Sequence, residues 1–147
     1  MEKNHSTTAV NRTTPQFPNS QKSHLGMVGG GQLGRMFAHV AQAMGFKVVV
    51  LEPDANCPAG QAADQHIVAA YDDTKGLQQL ADVCTSFTTE FENVPADSLS
   101  QLANSGFVAP NAACVSIAQD RVEEKTFFTR CAIETGIFPA PHAIISN

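Results

Sequence analysis

No run of apolar residues in this chain approaches the ~20 that a membrane-crossing helix requires. The strongest run near the front is Val48-Val49-Val50-Leu51, and no secretory leader pattern precedes it. Neither a membrane span nor an export signal is therefore expected, and the expected location is the cytoplasm. Basic residues are few: nine Lys and Arg stand against fourteen Asp and Glu, for a formal net charge of −5. They form no cluster or stripe, which argues against nucleic acid or an anionic membrane surface as a partner. The four cysteines, Cys57, Cys84, Cys114 and Cys131, include no C-x-x-C pair, and no histidine stands at a matching ligand distance. A structural zinc site is thereby disfavoured, and four reduced thiols are expected, with Cys84 and Cys131 on core faces. None of the five histidines (His5, His24, His39, His66, His142) accompanies a nucleophile, so no catalytic triad is expected.

Residues 1–24 lack the apolar content to form a core. They are rich in Ser, Thr and Asn, are broken by Pro15 and Pro18, and offer only Phe17 and a few small residues for burial. Such a segment cannot recover its ordering entropy and is expected to be a disordered tail. With Glu2 as its one acid it also has the acid-poor character of a transit peptide. Its positive charge, however, comes only from Lys3, Arg12 and Lys22, without an amphipathic face, so a plain flexible tail is the preferred reading.

What is present from Leu25 onward is an alternation of strands and helices. Leu25-Gly26-Met27-Val28 reads as a short buried strand that ends in Gly29-Gly30-Gly31. Leu33, Met36, Phe37, Val40, Ala41 and Met44 then recur at helical spacing and predict one apolar face, with Gly45 closing the helix. Lys47 through Leu51 is β-branched and continuous, as in a strand covered on both faces. The pattern repeats with a strand at 66–69, a helix capped by Asp73 that turns Leu77, Leu80 and Ala81 inward, and a strand at 86–89. A helix begun at Pro95 carries Leu99, Leu102 and Ala103, and a strand follows at 107–109. This rhythm predicts an α/β fold, a doubly wound and mostly parallel sheet over residues 25–119. Beyond it, Asn111 caps a short helix through Ala118. Asp120 and Glu123 then open a second helix bearing Val122, Phe127, Phe128 and Cys131 and ending at Gly136. A last strand is expected at 142–145. Its position at the extreme end, with nothing after it to pair with, suggests a second domain (120–147) cut short.

Gly29-Gly30-Gly31-Gln32-Leu33-Gly34 satisfies G-x-G-x-x-G between a strand and a helix. There the first N–H groups of a helix face a ligand, and the helix dipole favours a negative one. Glu52, at the end of the second strand, is the acid that would hold ribose hydroxyls in a dinucleotide-binding unit. From this fingerprint alone, an NAD(P)-binding module of an oxidoreductase is one reading, and a turn required only for helix–strand packing is another. A non-catalytic dimerisation domain is a further possibility. Pro53 and Pro58 weigh against the first, because they suggest a loop with another purpose.

A further reading comes from resemblance. Gly30-Gly31-Gln32-Leu33-Gly34-Arg35-Met36 resembles the opening motif of 5-(carboxyamino)imidazole ribonucleotide synthases of the ATP-grasp superfamily. Pro53-Asp54 with Pro58-Ala59 and Ala63-Asp64, then Thr89-Glu90-Phe91-Glu92-Asn93-Val94-Pro95, follow in the family's order. Gln119-Asp120-Arg121 with Glu124, Lys125 and Phe127, and then Gly136-Ile137 with Pro139-Ala140-Pro141, continue it. The sister glycinamide ribonucleotide transformylase has an acid where Gln32 stands and usually Lys where Arg35 stands, so both positions favour the carboxylating family. The resemblance implies a Rossmann-like pre-ATP-grasp domain followed by the start of an ATP-grasp domain. It also implies that Gly31, Gln32, Leu33 and Glu90 border a ribonucleotide and that Arg121 contacts ATP phosphate. Leu33 would offer its backbone N–H while its side chain serves the core. Glu90 has the alternative of capping the helix near Pro95, as has Glu92, and Arg121 that of a surface pair with Glu123 or Glu124. Arg35 is expected to form a local salt bridge. The implied activity is ATP-dependent carboxylation of aminoimidazole ribonucleotide with bicarbonate, assisted by Mg²⁺, in a dimeric enzyme. No catalytic or metal-binding residue is expected before Asn147, and the chain alone is expected to be inactive toward ATP.

Overall fold

The computed structural model describes residues 24–143. The expected tail therefore lies outside the described residues, apart from His24, which begins β1 (His24–Val28). There follow α1 (Gln32–Ala43), β2 (Lys47–Leu51), α2 (Pro58–Ala62), β3 (Gln65–Ile67) and α3 (Thr74–Val83). Next come β4 (Ser86–Thr89), α4 (Ala96–Ala103), β5 (Phe107–Val108), α5 (Ala112–Gln119) and α6 (Arg121–Thr135). All strand pairs are parallel, in the order β3-β2-β1-β4-β5.

Side-chain alternation along the strands explains the two layers. Val48 and Val50 of β2, with Met27 of β1, meet Ala38 and Ala41 of α1 and Ala59 of α2 on one face. Val49 and Leu51, with Val28 and Phe87, meet Leu77, Leu80, Leu99, Leu102 and Val115 of α3, α4 and α5 on the other. A strand buried on both faces needs a continuous apolar run, and β2 has one. The doubly wound parallel sheet is thus as expected.

Helix α1 departs from the expectation. Leu33, Met36, Val40 and Met44 are all more than 60% exposed, and the buried residues are Gly34, Ala38 and Ala41. The cause is packing distance. A Cβ at Gly34 would come within 3.1 Å of Ala59 Cβ, and Ala59 N donates to Gly30 O at 2.9 Å. With α2 so close, α1 can turn only a small-residue face inward. Helix α2 is absent from the sequence reading. Its signal is Pro58 at the first helical position behind Cys57, whose Sγ accepts from Gly60 N at 3.2 Å.

The other caps read correctly: Asp73 accepts from Gly76 N, Asn111 from Cys114 N, and Asp120 from Val122 N and Glu123 N. Strand β3 occupies 65–67 rather than 66–69, and Val68 is exposed. Of the expected last strand, His142 and Ala143 are not in a strand, and Ile144 and Ile145 lie outside the described residues. Helix α6 buries only Ala132, with Val122 and Phe128 exposed and Cys131 half-buried, because it packs chiefly on α5. All four cysteines are free thiols, Cys57 and Cys84 being buried.

Asp64 ties α1, β2 and the approach to β3 together. It accepts from Lys47 Nζ at 2.7 Å, Val48 N at 3.0 Å and Gln42 Nε2 at 3.1 Å. The Lys47 ammonium foremost, then the Val48 amide and Gln42, hold its carboxyl well below the usual carboxylate range. A depressed folded-state pKa contributes stability above the unfolded value, ~4, and that contribution fades as pH falls below it. Asp64→Asn is therefore expected to destabilise the chain at neutral pH and progressively less toward pH ~3. Urea denaturation at both pH values checks this, and an equal penalty at both would sink it.

Candidate functional site

The chain leaves β1 toward β2 on one side and later returns to lay β4 on the other, so the strand order reverses between β1 and β4. In open parallel sheets ligands bind at such a switch point, outside the carboxyl ends of the strands. Here those ends carry the glycine turn after Val28 and Glu90 after Thr89.

Backbone bonds fix both sides of this crevice. Gly29, with φ of 113°, donates its N–H to Leu51 O at 3.1 Å. Its positive φ is the left-handed region that glycine tolerates, and an added Cβ would in any case press on Phe91 Cε1 at 3.0 Å. Glu90 N donates to Val28 O at 3.3 Å, while the Thr89 hydroxyl is placed to bond Val28 O and Phe91 O.

The Glu90 carboxylate reaches back across the crevice. Its Oε2 accepts from Gly31 N at 2.6 Å. Gly31 is the N-cap of α1 and has no side chain to cap with, so Glu90 supplies the cap from 59 residues away. The helix dipole favours the negative charge there. Glu90 thus caps a helix, but it is α1 and not the one near Pro95. Helix α4 has Pro95 at its N-cap and no side-chain cap bond, so Glu92 does not cap it either. Instead Glu92 O accepts from Gln119 Nε2 at 2.6 Å. Glu90 Oε1 has no hydrogen-bond partner among the described residues. Gly31, Gln32 and Leu33 therefore lie beside Glu90, with Gln32 and Leu33 exposed at the first turn of α1. The Leu33 side chain is out of the core, contrary to expectation, for the packing reason given above.

Glu52 is buried against the turn, and both of its oxygens are taken. Oε1 accepts from Asp54 N at 3.2 Å, and Oε2 accepts a short bond from the Tyr71 hydroxyl. Burial, and then this bond to a carboxylate, push the Tyr71 phenol well above its ordinary pKa. Tyr71 packs edge-on against Phe91, with ring centroids 5.8 Å apart. His66 Nε2 lies 3.0 Å from Glu52 O and 3.8 Å from Cys57 Sγ. Burial pushes the Cys57 thiol up, which marks it as structural and not reactive. An acid serving a dinucleotide ribose must be free to face the ligand, and Glu52 is not. The NAD(P) reading fails on this point. Sequence reasoning missed the part played by Tyr71, which lies outside every quoted motif, and read Cys57 only as one of four reduced thiols.

A cleft of about 380 Å³ opens beside Glu90, lined by Thr89, Glu90 and Phe91 on one side and by Pro110, Cys114 and Val115 on the other. Its wall is mostly apolar, with the carboxylates of Glu90 and Glu92 among its lining residues. Arg121 stands apart from the turn, at the start of α6. Its guanidinium makes a short ion pair with Glu124, the alternative weighed in the sequence. Arg35 bonds His39 at 3.4 Å, and no carboxylate partner is found for it among the described residues. Among the described residues no group of three or more His, Cys, Asp or Glu side chains could hold a metal ion, and no helix is long and apolar enough to cross a membrane.

Residues 22–119 match the family model of the ribonucleotide synthetase preATP-grasp domain. The N5-carboxyaminoimidazole ribonucleotide synthase of Brucella melitensis is 49% identical over 113 residues, covering 77% of this chain and 31% of that protein. That of Staphylococcus aureus (strain COL) is 45% identical over 101 residues, covering 69% and 27%. The chain thus spans under a third of the length of these curated relatives. Among solved structures, an N5-carboxyaminoimidazole ribonucleotide synthetase in its ADP complex superimposes with a TM-score of 0.72 at 40% identity, over 76% of this chain and 29% of that one. The Aspergillus clavatus N5-carboxyaminoimidazole synthase in complex with ADP and 5-aminoimidazole ribonucleotide gives 0.65 at 31%, over 78% and 30%.

Proposed function

Since the chain belongs to the ribonucleotide synthetase preATP-grasp family, we propose that it is the substrate-binding N-terminal part of an N5-carboxyaminoimidazole ribonucleotide synthase, an ATP-grasp ligase of purine biosynthesis. Residues 25–119 form the pre-ATP-grasp domain and 120–147 begin the ATP-grasp domain. The whole enzyme joins bicarbonate to the exocyclic amine of 5-aminoimidazole ribonucleotide in the cytoplasm, as a homodimer. A bicarbonate oxygen takes the γ-phosphoryl group of ATP and ADP leaves. The carboxyl carbon of the resulting carboxyphosphate passes to the amine, directly or as CO2, so a C–N bond forms, phosphate departs and the amine loses a proton. Mg²⁺ supplies charge neutralisation on the phosphates when bound. The described residues offer it no ligand cluster, so no step is assigned to it on this chain.

The observation that carries the reading is the Glu90 carboxylate held across the crevice on Gly31 N, with Oε1 left to accept. An acceptor with one oxygen fixed is oriented toward a ribose hydroxyl or an amine N–H. The Gln32 side chain and the Leu33 backbone stand at the same turn to complete the contact, and the apolar cleft beside Glu90 has room for a flat ring. Arg121 would exchange Glu124 for an ATP phosphate, for which a permanently charged, two-pronged donor is suited.

Calorimetry on the full chain tests this, with 5-aminoimidazole ribonucleotide in one arm and NADH in the other. The ribonucleotide is expected to bind and NADH not to. Glu90→Gln is expected to weaken the ribonucleotide by roughly tenfold, about 1.4 kcal/mol. No ATP hydrolysis dependent on bicarbonate and ribonucleotide is expected from this chain. Binding of NADH without the ribonucleotide would overturn the proposal.

A further inference from the structure

We propose that the glycine turn is filled by the protein's own carboxylates, and that Glu90 determines specificity by turning phosphate-led ligands away from the N-terminus of α1. In a nucleotide-binding G-x-G-x-x-G turn, the missing side chains leave space for a pyrophosphate against the backbone. Here protein atoms take that space at each position. A Cβ at Gly30 would strike Glu52 Cγ and lie 2.7 Å from Cys57 Sγ. A Cβ at Gly31 would strike Glu90 Oε1, and one at Gly34 would lie 2.7 Å from Glu90 Oε2. These glycines therefore admit side chains, not a ligand.

The electrostatics agree with the sterics. The Gly31 N–H that would greet an anion already donates to Glu90 at 2.6 Å, so the favourable end of the α1 dipole is neutralised from within. A phosphate arriving there would have to displace one carboxylate while facing a second, Glu52. Glu52 cannot swing away, because Asp54 N and the Tyr71 hydroxyl hold its two oxygens. The nearest cation along α1, Arg35, is exposed and turned to His39. A neutral hydroxyl or a protonated or neutral amine meets none of this opposition. The inference stands whether or not the ribonucleotide is the ligand.

The test is amide NMR of the full chain titrated with inorganic pyrophosphate, free of metal. In the wild type the Gly31, Gln32 and Leu33 amides are expected to stay in place at millimolar pyrophosphate. Glu90→Ala is expected to make them shift saturably, with affinity raised about tenfold or more, the scale of one charge-assisted anion contact. Glu90→Gln keeps the side-chain bulk and an acceptor for Gly31 N, and is expected to stay closed. Saturable shifts of these amides in the wild type at millimolar pyrophosphate would overturn the proposal without any variant needing to fold. So would a folded Glu90→Ala chain that shows no gain, or a Glu90→Gln chain that binds as tightly as Glu90→Ala. Failure of the ribonucleotide to bind would refute the proposed function and leave this inference intact.

Discussion

Gly30→Ala is expected to cost about 3 kcal/mol of folding stability, the upper end for overpacking by a single methyl group. The added Cβ would meet Glu52 Cγ, with Cys57 Sγ at 2.7 Å and Cys57 Cβ at 2.8 Å. None of these is a loose side-chain end. Glu52 is clamped by the Asp54 amide and the Tyr71 hydroxyl, and Cys57 is the N-cap of α2, buried and bonded to Gly60 N. Relief would require the turn to lift from α2, breaking the 2.9 Å bond from Ala59 N to Gly30 O. Gly45→Ala is the control. Gly45 has φ of 88° but nothing within 4 Å of an added Cβ, so only backbone strain of about 1–2 kcal/mol is at stake. Urea denaturation ranks the two. A Gly30→Ala penalty no larger than that of Gly45→Ala would show that Glu52 and Cys57 can yield, which would also undercut the filled turn.

The contrast between these glycines bears on what could be read in advance. Strands β1, β2 and β4 and helices α1, α3 and α4 follow from local patterns: continuous β-branched runs, apolar residues at helical spacing, and Asp73 as a cap. The family motifs selected Gly31, Gln32, Leu33 and Glu90, and the fold brings Glu90 onto Gly31. Two things were illegible. Periodicity located an apolar stripe on α1 but could not decide between it and the small-residue stripe Gly34–Ala38–Ala41. That choice depends on how closely α2 approaches, and the five residues of α2 give too short a periodic signal to foresee. The second is the locking of Glu52. Nothing near Tyr71 in sequence announces a bond to a residue nineteen positions earlier, yet that bond removes the dinucleotide reading.

Leu80→Ala is expected to cost about 4 kcal/mol, in the upper half of the range for deleting a buried leucine. The reason lies in the strand beneath it. Leu80 is fully buried and packs over Gly26 of β1, where a Cβ would lie 3.3 Å from Leu80 Cδ1 and 2.7 Å from Phe87 Cδ1. Gly26 pairs in register with Phe87, whose ring leans over it. With no side chain at 26, the sheet cannot fill the hole that a truncated Leu80 leaves, and the cost of a cavity grows with the volume that stays empty. Gly26→Ala alone is expected to destabilise by about 2 kcal/mol, because Phe87 and Leu80 already occupy the space. Combined with Leu80→Ala, however, it gives the Phe87 ring somewhere to move. The double variant should therefore cost less than the sum of the singles by about 1 kcal/mol or more, a coupling typical of residues in contact. Additivity within about 0.5 kcal/mol would show that Gly26 is not the reason Leu80 matters. The same strand ends in the glycine turn, so a chain loosened at Leu80 should also hold Gly31 less firmly against Glu90. Amide exchange at Gly31 is then expected to rise in Leu80→Ala and to fall back in the double variant.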